Sequence, residues 1–161
     1  MTPRSLRAAG ILVAAWVLVG CPPKGTGASA ESKIANIPEL RCVRTVLAAQ
    51  VFEGKLDEGD IGDGENTPIK DPLPAKSTPG FWYKRGDVQY SLYFTVQPKH
   101  PVLYSHYGTT WRSDVTAGAL LEIRDNLQAV AGEIERKCGL TGLTATLHYK
   151  CWGKVCRDLK M

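Results

Sequence analysis

The apolar positions of this chain follow three kinds of pattern. Leu40, Val43, Leu47 and Val51 recur at helical spacing. Asn36-Ile37-Pro38-Glu39 precedes them, in which Asn36 suits a cap, Pro38 a first turn and Glu39 the positive end of the helix dipole. This predicts a helix over 38–51. A longer stripe joins Leu120, Ile123, Leu127, Val130, Ala131, Ile134 and Cys138, opened by Ser113-Asp114 and stopped by Gly139, and predicts a helix over 115–138. Between the helices the period changes to two. Val88, Tyr90, Leu92, Phe94 and Val96 alternate with Gln89, Ser91, Tyr93, Thr95 and Gln97, a half-buried strand with one wet face. Arg85-Gly86-Asp87 is a tight turn from a short strand at 81–85, Val102 to Trp111 reads as a third strand, and Leu143 to Lys150 as a last one. The order is α-β-β-β-α-β. One-sided strands beside amphipathic helices imply an α+β domain of two layers, an antiparallel sheet of about four strands packed against two helices. Residues 53–80, acidic and glycine-rich and then rich in proline, read as a long loop.

The third pattern is a continuous apolar run near the start. Ala8 to Leu18 follows Arg4 and Arg7, the length and flank of a secretory signal and too short to span a bilayer comfortably. The run closes on Leu18-Val19-Gly20-Cys21. This resembles the lipobox of bacterial lipoproteins. The resemblance covers about twenty residues and implies nothing about residues 34–161. It implies a diacylglycerol on the Cys21 thiol, cleavage before that residue and acylation of the new amine. At about 0.8 kcal/mol per buried CH₂, two or three chains make a lasting anchor. Pro22 stands where an Asp would favour retention in the inner membrane. In a Gram-negative host this implies outer-membrane anchoring, with the domain facing the periplasm. The division expected is therefore a signal at 1–20, a lipidated Cys21 with a flexible tether to residue 33, and one domain over 34–161.

Assigning Cys21 to lipid changes the cysteine count. Of five cysteines, Cys42, Cys138, Cys151 and Cys156 remain, an even set that implies two disulfides in an oxidising compartment. Three pairings are open. Local closure favours Cys151–Cys156, leaving Cys42–Cys138 to join the helices across roughly 97 residues, a loop worth about 4–5 kcal/mol in the chain-entropy model. A four-thiolate zinc site is the competing reading, disfavoured by the compartment. The signal holds Arg4 and Arg7 of the 20 basic residues, so the remainder carries about +2 against 16 acidic residues. That balance, with export, argues against nucleic acid.

Candidate chemistry is sparse. No Gly-x-Ser-x-Gly, His-Glu-x-x-His or phosphate loop occurs, so no catalytic residue, metal site or cofactor beyond the lipid is assigned. His100, His106 and His148 lack ligand spacing and read as surface or edge histidines. The acidic stretch 57–66 fails a calcium register, because Gly59 and Ile61 occupy the alternate positions after Asp57. The aromatics are concentrated on the strands. Core and cross-strand pairing accounts for most of them. Trp82, Tyr93, Tyr107 and Trp111 are the candidates for an exposed binding surface. The leading expectation is a non-enzymatic binding module held to the membrane by its lipid, its partner another envelope protein or cell-wall glycan. The first alternative is an inhibitor or immunity-type lipoprotein that uses the acidic loop to block a basic active site. The second is a small hydrolase using His106 or His148.

Overall fold

The computed structural model describes residues 25–51, 54–62, 66–96 and 101–159. Six strands form one antiparallel sheet: β1 (Thr26–Ile34), β2 (Asp57–Asp60), β3 (Pro79–Arg85), β4 (Val88–Thr95), β5 (Val102–Thr110) and β6 (His148–Trp152). Their spatial order is β2-β3-β4-β5-β1-β6. Helices α1 (Leu40–Ala48) and α2 (Ala117–Cys138) cover one face. The two-layer α+β architecture agrees with the sequence pattern, with six strands rather than about four.

The largest correction is β1. Residues up to 33 read as a tether, yet Thr26–Ile34 lies inside the sheet between β5 and β6. Its alternation is built from small residues. Ala28, Ala30 and Ile34 turn to the core and Gly27, Ser29, Glu31 and Lys33 to the other face. Two fully buried alanines let α2 lie close over the strand. A pattern of Ala, Gly and Ser carries little hydropathy, so its period of two was hidden.

The second correction is β2, four residues inside the expected long loop at 53–80. Its acids have local partners. Arg44 on α1 grips Glu58 through two hydrogen bonds of 2.7 and 2.8 Å, and Lys55 pairs with Asp57 at 2.8 Å. Asp60 accepts from the backbone N–H of Thr78 at 2.7 Å and of Gly62 at 2.9 Å. Burial opposes ionisation of Asp60, but these donors outweigh it and hold its carboxyl below the usual range. Strand pairing followed by capping thus replaces a free acidic loop.

The helix boundaries also shift. α1 begins at Leu40 behind Glu39, without a side-chain cap from Asn36. α2 is capped by Thr116, whose hydroxyl accepts from Ala119 N at 3.2 Å; Asp114 of the expected opening is instead bound by Arg112 at 2.7 Å. Gly139 adopts the left-handed stop at φ 70°. The apolar stripe from Leu120 to Ile134 is buried. The final strand is β6 alone, not Leu143 to Lys150, because Glu135 on α2 takes the N–H groups of Gly142 and Thr144, both at 2.8 Å, and the Thr144 hydroxyl at 2.6 Å. That grip winds Thr144–Thr146 into a 3₁₀ turn.

The sulfurs pair as Cys42–Cys138, which joins α1 to the last turn of α2, and Cys151–Cys156, which closes the turn after β6. Each pair spans 5.7 Å between Cα atoms, within disulfide range.

Candidate functional site

Period two gives the strands two faces, and register aligns them. On the helix side, Phe81, Tyr83, Tyr90, Leu92, Phe94 and Tyr104 form the core, all at 3% exposure or less. On the other side, Trp82 of β3, Tyr93 of β4, Tyr107 of β5 and Trp152 of β6 form a row across the strands. Ring centroids step by 5.8 Å from Trp82 to Tyr93, 6.1 Å to Tyr107 and 6.4 Å to Trp152. The Trp82 indole N–H donates to the Tyr93 hydroxyl at 2.9 Å. No described helix covers this face, and all four side chains are half-buried.

The row is seated on small residues. A Cβ at Gly80 would lie 2.9 Å from the Tyr93 ring, and one at Gly27 would lie 2.6 Å from the Trp152 ring. Ser29 and Ser105, opposite Tyr107 and Tyr93 in register, are buried on this face at 3% and 5% exposure. The rings therefore shield the sheet from water although no helix does. At the rim, Glu31 receives Lys150 at 3.2 Å and the Tyr107 hydroxyl at 3.5 Å. Burial, the largest influence on Tyr107, raises its phenol above the usual range. The indole nitrogen of Trp152 is buried with no hydrogen-bond partner, so a donor in the row is unspent. An apolar centre with charged flanks is the composition of a protein-binding patch.

Of the four residues expected to form a binding surface, three meet here. Trp111 does not join the row. It follows β5, 60% exposed, at the end of the sheet. Trp152 is the member the sequence reading missed. Its signal was present, since His148, Lys150 and Trp152 share one face at period two, but the predicted strand stopped at residue 150. Cys21 and His100 lie outside the described residues.

His106 requires a correction. Instead of a surface or edge residue it is fully buried. It sits opposite Ala30 and Leu92 on the core face, because β5 places Tyr104, His106 and Gly108 inward. The Tyr83 hydroxyl lies 3.1 Å from Nε2 and the Tyr104 hydroxyl 3.2 Å from Nδ1. Desolvation pushes its pKa down to about 3, so the ring is neutral at ordinary pH. A neutral imidazole has one donor and one acceptor, and one phenol satisfies each. The cluster is a buried hydrogen-bonded network on the core face. His148 is exposed on β6.

An open groove of about 810 Å³ runs beside the first turns of α2, lined in part by Arg85, Asp87, Arg112, Asp114 and Asn126. Arg112 there bridges Asp114 at 2.7 Å and Asp87 at 3.2 Å, and Arg85 donates to the Asn126 side-chain oxygen at 2.7 Å. Among the described residues no three His, Cys, Asp or Glu side chains gather as a metal site. No described helix is long and apolar enough to cross a membrane. Comparison with protein-family models, curated proteins and solved structures finds no match to this chain.

Proposed function

We propose that this chain is an outer-membrane-anchored, periplasm-facing lipoprotein that acts as a binding module for another envelope protein, with the open sheet face as its contact surface. The lipobox at Leu18-Val19-Gly20-Cys21 supports the anchor. The observation that carries the binding role is the row Trp82–Tyr93–Tyr107–Trp152 on the face without helices. A large aromatic patch with a polar rim on an otherwise hydrophilic surface marks an interaction site. The rings meet at 76°, 64° and 54° and form no single flat platform. A flat platform that stacks several sugar rings at once is absent from this row, which favours a polypeptide partner over glycan. Asp57, Glu58 and Asp60 are engaged within the fold, which favours a contact through the sheet face over an inhibitory plug.

The test is a photo-crosslinking amino acid placed in cells at Ser91, between the rings, and at Gln128, on the outer side of α2. A discrete adduct with one envelope protein is expected from position 91 alone. Tyr107→Ala should weaken capture of that protein by at least ~30-fold, as for a central aromatic hot spot. Adducts only from position 128, or none from position 91, would overturn the assignment of the face.

A further inference from the structure

The start of β1 fixes how far the domain can stand from a lipid on Cys21. Strand β1 starts at Thr26 rather than after residue 33, and three residues, Pro22, Pro23 and Lys24, separate Cys21 from Gly25 before it. Fully extended, the four Cα–Cα steps from Cys21 to Gly25 span at most about 14 Å. The corner of the sheet at Gly25 is therefore held beside the anchor.

Register identifies what else occupies that corner. Thr26 pairs with Thr110 of β5, and a Cβ on Gly25 would lie 2.7 Å from the Thr110 carbonyl. The next residue is Trp111, 60% exposed and the exposed large hydrophobic side chain among the described residues. On the other flank Gly27 pairs with Trp152, and Gly153 packs on the Thr26 side chain, followed by the exposed Lys154. Neighbouring strands lie about 4.8 Å apart, so Trp111 leaves the sheet within one strand spacing of the tether's attachment. An exposed tryptophan is costly in water and favoured at headgroup depth, where its ring meets acyl carbon and its N–H meets water or phosphate.

We infer that this corner rests on the phospholipid surface, with Trp111 as a second, non-covalent anchor at the interface. The inference depends on the lipid-anchored reading of Cys21. It also orients the contact surface. Trp152, Tyr107 and Tyr93 align with Gly27, Ser29 and Glu31 of β1, so at about 3.3 Å per residue the row stands within roughly 20 Å of that corner. The partner is then met close to the membrane.

The experiment uses the full chain, processed in cells and purified, reconstituted in phosphatidylethanolamine–phosphatidylglycerol vesicles containing lipids brominated near the headgroup. Tryptophan fluorescence is compared between the unaltered protein and Trp111→Phe, with Trp82 and Trp152 present in both. Quenching of the unaltered protein is expected, and Trp111→Phe should remove roughly half of it or more, as expected if the interfacial ring is the main one reached. Equal quenching in the two proteins would overturn the inference while leaving the lipid anchor standing. Mass analysis of the N-terminal peptide separates the two failures: a Cys21 without thioether lipid would overturn the anchor, and the inference with it.

Discussion

The two faces of the sheet are made by the same strands and carry the same kinds of residue, yet they solve different problems. On β4, Tyr93 and Phe94 are neighbours in sequence. Phe94 points under the helices, has no exposure and packs edge-on against Tyr104 at 5.7 Å. Tyr93 points the other way, between Trp82 and Tyr107, and keeps partial access to water. The covered face excludes water with a second layer of structure pinned by a disulfide. The open face excludes it with a single row of rings over serine and glycine. Aromatic composition alone does not distinguish the covered face from the open one; the second layer does.

The strongest way to break the contrast is to release that layer. Replacing Cys42 and Cys138 together by serine removes a crosslink over a sequence separation of 96 residues. It should cost about 4–5 kcal/mol in urea denaturation, by the chain-entropy model. A cost below about 1 kcal/mol would mean that α1 and α2 hold to the sheet by packing alone.

A sharper comparison uses the two neighbours. Phe94→Ala should cost about 3–5 kcal/mol, as for a sealed aromatic, and Tyr93→Ala about 1 kcal/mol, the usual size for a half-exposed site. Both are read from denaturation midpoints. Equal losses would show that the open face contributes to stability as a second core, and would remove the reason to assign it to a partner.

The third comparison concerns His106. Its folded pKa is depressed to about 3 from an ordinary 6.5. Below pH 6.5 the unfolded chain binds a proton that the native chain refuses, so stability falls as pH falls, by up to about 1.4 kcal/mol per pH unit. Stability from this source is complete above pH 6.5 and stops declining near pH 3. Tyr83, Tyr90 and Tyr104 around it stay neutral, since burial raises all three phenols. Asp60, Asp114, Glu133 and Glu135, whose carboxyls are held low, lose their contributions at lower pH. The window from about pH 6.5 to 4.5 is thus the diagnostic one. His106→Gln keeps a donor and an acceptor and should flatten the slope there, measured as urea midpoint against pH. An unchanged slope would place its source elsewhere.

Legibility followed the size of the side chains. The stripe of α2 and the alternation of β4 were readable because large apolar residues give strong periodic signals, and the favoured cysteine pairing because local closure selects Cys151–Cys156 and leaves Cys42 for Cys138. Strand β1 was not, since Gly, Ala and Ser alternate without a hydropathy contrast. His106 was misjudged because a polar residue inside a strand looks like an edge residue until its neighbours on two other strands are known. Trp82, Tyr93 and Tyr107 were readable as a surface from their parity in the strands. Trp152 needed the end of β6, and the separation of Trp111 from the row needed the end of β5.

The sequence by itself determined the local periods, hence two amphipathic helices and one-sided strands, and beyond Cys21 it offered an even set of four cysteines. Only the tertiary structure decided strand order, and with it which rings stand side by side. That division has a physical cause. Periodicity is a property of one segment and its two faces. Adjacency in a sheet depends on pairing between segments as distant as β1 and β6, chosen by the collective packing of small and large side chains under α2.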